Sequence, residues 1–220
     1  LFQPSVAGES VVLLHGLART SDSMSRMAHA LEAAGYHVCN VSYPSRKHSI
    51  ETLVTDFVAP AARACRSSDT DTVHFVTHSL GGILVRQLAK SEPDLKIGRV
   101  VMLSPPNHGS EVVDRLGTLS LFTMINGPAG LQLATGDEYL PRALGPASFD
   151  VGIITGSRTI NPILSLMIPG DDDGKVSIES AKLEGMADFR VISSSHPFIM
   201  KNERAIAQTL AFLAEGKFPL

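Results

Sequence analysis

A serine hydroxyl is a useful nucleophile at neutral pH only when a general base stands beside it. Ser79 sits where such a base can reach. It follows the run Thr72-Val73-His74-Phe75-Val76-Thr77-His78 and precedes Leu80-Gly81-Gly82. The run is β-branched and aromatic, which reads as a strand. Ile83, Leu84, Val85, Leu88 and Ala89 then carry the apolar spacing of a helix. Strand, sharp turn and helix with a serine at the apex form a nucleophile elbow, usually written G-x-S-x-G. Thr77 stands at the first glycine position and Gly81 at the second. The hydroxyl is thereby set at a helix N-terminus, where outward-facing N–H groups favour negative charge.

The base is sought among eight histidines. His196 follows the last strand-like run and precedes the last helical one, which puts it on a loop at the same sheet edge as Ser79. His78 adjoins the serine, but its side chain is expected to diverge; His74 lies inside the strand. His29, His37 and His48 read as surface or helix-flanking residues. An imidazole base needs an acid to fix its tautomer and stabilise the imidazolium. Asp171-Asp172-Asp173-Gly174 supplies one. Asp173, next to the glycine, is the first choice, and Asp172 is the reserve. Acyl transfer also needs oxyanion donors, each worth about 2.7–4 kcal/mol when removed. The backbone N–H of Leu80 is one candidate. The second is the N–H of Leu17, in the loop Leu14-His15-Gly16-Leu17-Ala18-Arg19. His15 is expected to orient that loop. Arg19 is read either as a pin on loop carbonyls or as a plain surface charge.

These residues need a frame that brings them to one edge. Strand-like runs occur at 10–14, 37–42, 72–77, 97–103, 150–155 and 189–193. Met24, Met27, Leu31 and Ala34 mark a helix, with Ser21-Asp22 as its expected N-cap and Gly35 as its stop. Ile50, Leu53, Val54, Phe57, Val58 and Ala61 mark another, interrupted by Pro60. A last helix covers roughly 202–215. Strands alternating with helices imply a mostly parallel sheet covered on both faces, with ligands beyond the carboxyl ends of its strands. The fold class is therefore α/β, in one domain over residues 1–220. Residues 107–148 break the alternation. Leu116, Leu119, Leu121, Phe122, Met124 and Ile125 are unusually apolar for a connection. They suit a helix packed on the core, a small cap offering an apolar surface to an acyl chain, or both.

A net charge of −3 without a basic stripe argues against nucleic acid and against an anionic membrane surface. No apolar run is long enough for stable membrane insertion. The absence of a leader at Leu1 says nothing about export, so the compartment stays open. Cys39 and Cys65 are the only cysteines. Both fall near one sheet edge, where a disulfide or two buried thiols are compatible with the sequence; their spacing fits no metal motif.

Taken together, His15-Gly16-Leu17, His78-Ser79-Leu80-Gly81-Gly82, Ser104-Pro105-Pro106-Asn107-His108-Gly109-Ser110, Asp173-Gly174-Lys175-Val176 and His196 resemble the bacterial lipase and esterase branch of the α/β-hydrolase superfamily. The order Ser, Asp, His along the chain agrees. The resemblance implies an α/β-hydrolase fold of about six strands with a short helical cap. It implies a cofactor-free serine esterase or lipase in which Ser79 attacks, His196 moves the proton and Asp173 orients it. The partner would be a small-molecule or lipid ester, and the apolar cap without a cationic pocket favours aliphatic acyl chains. The larger lipases of this branch bind calcium through an aspartate shortly after the catalytic histidine. Pro197-Phe198-Ile199-Met200 stands there, so no metal is expected. Polyester depolymerases and thioesterases use the same triad, and a non-catalytic small-molecule binding protein of this fold is the rival from another class.

Overall fold

The computed structural model describes residues 8–67, 71–116, 120–159, 168 and 170–219, without the side chains of residues 120–125. Leu119 lies outside the described residues, as do the side chains of Leu121, Phe122, Met124 and Ile125. The six strand-like runs are the six strands, with ends moved by at most one residue. They are β1 (Ser10–Leu14), β2 (His37–Val41), β3 (Val73–His78), β4 (Ile97–Leu103), β5 (Val151–Gly156) and β6 (Asp188–Ile192). They form one sheet in the order β2-β1-β3-β4-β5-β6, parallel throughout.

Side chains alternate between the faces of a strand, and both faces are covered here. Val12, Leu14, Phe75, Val100 and Ile153 pack with Leu53, Val58, Ile83 and Leu84 on one side. Val11, Leu13, Val76, Val101 and Ile154 pack with Met27, Leu31, Phe212 and Leu213 on the other. This explains why β1, β3 and β5 are buried end to end while the edge strands β2 and β6 are largely half-buried. In a parallel sheet covered by helices, central strands read as continuous apolar runs.

The helices largely follow the sequence expectations. Helix α1 (Ser25–Ala33) is preceded by a 3₁₀ turn over Ser21–Met24, and Ser21 and Asp22 do not cap it. Instead Ser21 gives its carbonyl to Asn40 Nδ2 (2.9 Å) and becomes part of the first turn. The stripe from Ile50 divides into α2 (Ile50–Leu53), a π turn (Val54–Val58) and α3 (Ala59–Ala64). Pro60 has no N–H to give to an i−4 carbonyl. The wider turn just before it absorbs that missing bond while keeping Leu53, Val58 and Ala62 in the core. Cys39 on β2 and Cys65 at the end of α3 are joined by a disulfide, which ties an edge strand to the helix beside it.

Helix α4 (Leu80–Ser91) follows β3 without a linker beyond Ser79. A Cβ on Gly81 would stand 2.6 Å from the Leu14 carbonyl oxygen, so the close approach of this helix to β1 requires glycine there. Between β4 and β5 run α5 (Glu111–Leu116), α6 (Ser120–Leu131) and α7 (Leu140–Ala143). Helix α6 kinks at Gly127, where a Cβ would lie 1.8 Å from the Arg46 carbonyl oxygen. The segment is fastened from below by Arg86 of α4. Its Nη1 donates to Asn107 O (3.1 Å) and Oδ1 (3.2 Å), and its Nη2 to Pro141 O (2.8 Å) and Gly145 O (2.7 Å). Helix α8 (Ile178–Ala181) follows the aspartate loop, and α9 (Glu203–Glu215) closes the fold with Asn202 as N-cap, accepting from the Arg204 and Ala205 amides.

Candidate active site

The register of the sheet sets the site. Leu14 pairs with Thr77, so the loop after β1 and the turn after β3 leave the sheet side by side. Gly156 of β5 pairs with Ile192 of β6, so the loops carrying Asp173 and His196 leave from the same edge. Ser79 has φ 51° and ψ −118°, a left-handed conformation that a non-glycine residue holds only when its surroundings impose it. The conformation turns the hydroxyl out of the sheet at the start of α4.

His196 bridges the other two residues. Its Nδ1 lies 2.9 Å from Asp173 Oδ2 and its Nε2 lies 3.0 Å from Ser79 Oγ. The carboxylate can only accept, so Nδ1 carries the proton and Nε2 is free to accept from the serine hydroxyl. Asp173 is fully buried and His196 is nearly so. The other carboxylate oxygen of Asp173 accepts from the Lys175 and Val176 amides (3.1 and 3.0 Å). Burial alone would raise this carboxyl's pKa. The His196 charge and the hydrogen bonds from His196 and the Val176 amide outweigh burial and hold it below the ordinary carboxylate value. The His196 amide also donates to the Asp173 carbonyl (2.9 Å), so the two loops are joined through backbone as well as side chain. Asp172, the reserve acid, turns the loop instead: its carboxylate accepts from the Gly174 amide.

Neither the Leu17 nor the Leu80 amide donates to another described residue. The loop bearing Leu17 is held by residues around it. The Tyr43 hydroxyl donates to the His15 carbonyl, and the Tyr43 amide donates to His15 Nε2 (3.4 Å). His15 Nδ1 in turn donates to Gly16 O (2.8 Å), and its ring stacks on Tyr43 at 3.9 Å. Burial lowers the His15 pKa, which suits a neutral ring in that role. The Ala18 amide donates to Ser45 Oγ (3.1 Å). The Arg19 side chain makes no hydrogen bond or ion pair among the described residues, and only its amide donates, to the Gly16 carbonyl (3.3 Å), so its guanidinium is not the pin on this loop; Tyr43 and Ser45 already occupy that role.

His78 was not singled out by the sequence. Its ring lands against His196, ring centroids 4.9 Å apart, and Nε2 donates to the His196 carbonyl (3.0 Å). Burial and the His196 charge push its pKa well below the ordinary histidine value, so it acts as a neutral donor. Its position directly before the serine was the available signal. The partner carbonyl, far away in sequence, was not legible.

A cleft of about 640 Å³ opens over Ser79, His196 and Asp173. One wall is apolar, from Val112, Val113, Leu116, Leu133 and Val176, and Phe198, 55% exposed, stands at the rim. Leu17, Arg19, Ser110, Asn126 and Lys175 are also part of the lining. A second cavity of about 640 Å³ is bounded by Ala18, Arg19, Thr20, Ser42, Tyr43, Pro44, Ser45, Arg46 and Lys47. The sequence reading that no cationic pocket exists is thereby corrected. The charges come from two separate loops, after β1 and after β2, that only the fold brings together. Among the described residues, His37, Cys39 and Cys65 are the group whose ligand atoms lie within metal-sharing distance. The disulfide takes up both thiols and leaves a single imidazole.

A family model described as alpha/beta hydrolase fold matches residues 9–136. Among solved structures, the mature form of the Bacillus licheniformis lipase BlEst2 superposes with a TM-score of 0.75 at 20% identity, covering 96% of this chain and 94% of that one. The metagenomic carboxyl esterase MGS0156 gives 0.69 at 21% identity, covering 89% and 66%. Aspergillus fumigatus lipase B gives 0.70 at 16% identity, and the chain spans 52% of its length. At these identities the likeness is one of fold. No curated protein sequence matches the chain. The family match covers more than half of the chain and takes in β1 to β4 and the Ser79 turn, and so the chain belongs to the alpha/beta hydrolase fold family.

Proposed function

We propose that this protein is a serine hydrolase of carboxylic esters, a single domain in which residues 107–148 serve as a small cap over the cleft. The observation that carries the reading is the bridge made by His196 between Ser79 Oγ at 3.0 Å and Asp173 Oδ2 at 2.9 Å. In this mechanism His196 Nε2 takes the Ser79 proton as Oγ attacks the ester carbonyl. The Leu17 and Leu80 amides receive the oxyanion. His196 returns the proton to the leaving alcohol, and water, activated by the same imidazole, releases the acyl group from Ser79. The apolar wall from Val112 to Leu133 suits an aliphatic acyl chain. The solved lipases and carboxyl esterase of the same fold support ester hydrolysis as the reaction. A non-catalytic binding role would give the strained Ser79 backbone and the aligned imidazole nothing to do.

The test is hydrolysis of p-nitrophenyl esters from acetate to palmitate by the wild-type chain and by Ser79→Ala. Turnover by the wild type and a loss of at least about 10³-fold in the variant, with unchanged circular dichroism, is the expected result. Equal rates for the two proteins would remove Ser79 from the reaction.

A further inference from the structure

The cleft over Ser79 does not end at its apolar wall. Leu17 lines the cleft, Ala18 lines the second cavity, and Arg19 lines both. Ala18 has φ 55°, and this left-handed turn lets consecutive residues face different spaces. The second cavity therefore begins one residue past the Leu17 amide, a separation of about 4 Å along the chain.

The two spaces share Arg19, and apart from Asp173 the charged side chains that line them are cationic. Arg19, Arg46 and Lys47 line the second cavity, with no carboxylate among its lining residues. Arg19 and Lys175 stand on the cleft, where the one carboxylate, Asp173, is engaged with His196. None of the four cations forms an ion pair among the described residues. Asp22, the acid next to this rim in sequence, is turned to the Thr20 hydroxyl (3.5 Å). Lys175 also feels the Arg19 charge, which places the two within electrostatic reach of each other. Unneutralised cations gathered at a concave site, in a chain with a net charge of −3, are arranged for an anion. Ser42, Ser45 and Tyr43 border the same cavity. The Ser45 oxygen already accepts from the Ala18 amide, which leaves its hydroxyl proton free to donate.

We infer that the second cavity is a subsite for a phosphate group on the alcohol side of the ester, so that the preferred substrates are esters of phosphorylated alcohols, with the acyl chain on the Val112–Leu133 wall and the phosphate among Arg19, Arg46 and Lys47. The assignment of sides deepens the ester-hydrolase reading and rests on it. The site itself does not, and its test is made by binding as well as by turnover.

Binding is measured by calorimetry with two non-hydrolysable ethers, 1-hexylglycerol 3-phosphate and 1-hexylglycerol, and with inorganic phosphate. The phosphate ether is expected to bind the wild type about tenfold more tightly than the neutral ether, a preference that shrinks with added salt. It is also expected to bind about tenfold more tightly than inorganic phosphate. In the Arg46→Gln/Lys47→Gln variant the preference over the neutral ether should fall to near unity. Hydrolysis of the matching hexanoyl esters should show the same ratio and the same collapse. Equal binding of the two ethers, or a preference that survives the double substitution, would overturn the proposal. So would equal binding of inorganic phosphate, which would make this a free-anion site. If the phosphate ether is preferred but neither ester is cleaved, the subsite stands and the ester-hydrolase reading falls.

Discussion

Asp172 and Asp173 are adjacent carboxylates with unlike tasks, and the difference lies in what each faces. Asp173 is fully buried against His196, whereas Asp172 closes its own loop by accepting from the Gly174 amide. Asp173→Asn replaces an acceptor by a group that can donate to Nδ1, which favours the tautomer unable to accept the serine proton. Its kcat is expected to fall by about 10⁴-fold. Asp172→Asn should cost less than about tenfold in kcat. Steady-state kinetics on one p-nitrophenyl ester decides between them, and reversed magnitudes would move the acid to Asp172. The meeting of Ser79, Asp173 and His196 was legible because each stands in a recognisable local setting: an elbow, an aspartate-glycine turn, and a histidine after the last strand. The part played by His78 was not, because its partner is a backbone carbonyl brought near only by folding.

At the scale of elements, alternating apolar runs located the strands to within one residue, because a fully covered parallel sheet leaves its central strands little polar surface. The π turn before Pro60 was hidden, since the apolar stripe reads the same whether a turn holds an extra residue or not. So was the attachment of the 107–148 segment. Its anchor is Arg86, a buried cation on the serine-bearing helix that donates to three backbone carbonyls and to the Asn107 side chain. Burial brings its pKa down to about 10, still charged at neutral pH. Arg86→Met keeps the volume and orphans those acceptors. It is expected to destabilise the fold by about 2–4 kcal/mol and, if the 107–148 segment serves as the proposed cap, to raise KM more than it lowers kcat for long-chain esters, because that wall moves while Ser79, Asp173 and His196 do not. Denaturant unfolding and ester kinetics check both. A fully stable variant with unchanged KM would show that the 107–148 segment is held elsewhere.

For the molecule as a whole, three buried imidazoles set a dependence of stability on pH. His15, His74 and His78 are each lowered from 6.5 chiefly by burial. Near and below pH 6.5 the unfolded chain takes up protons that the folded chain refuses, so stability falls as the pH drops from about 7 to 5, at up to about 1.4 kcal/mol per pH unit for each group. The depressed Asp173 acts in a lower window, its contribution fading below 3.8. Urea unfolding across this range should therefore show a falling midpoint, with a shallower fall in His78→Gln; a midpoint that rises on acidification would contradict the account. The cationic subsite also belongs to this scale, because Arg19 and the Arg46-Lys47 pair come from different loops and their meeting is a property of the assembled sheet edge. The most direct measurement of the central claim is mass spectrometry after reaction with a fluorophosphonate, which modifies only a serine activated by its neighbours. The account predicts one adduct per chain, on Ser79, absent in His196→Ala; no adduct on Ser79, or one that survives loss of His196, would contradict it.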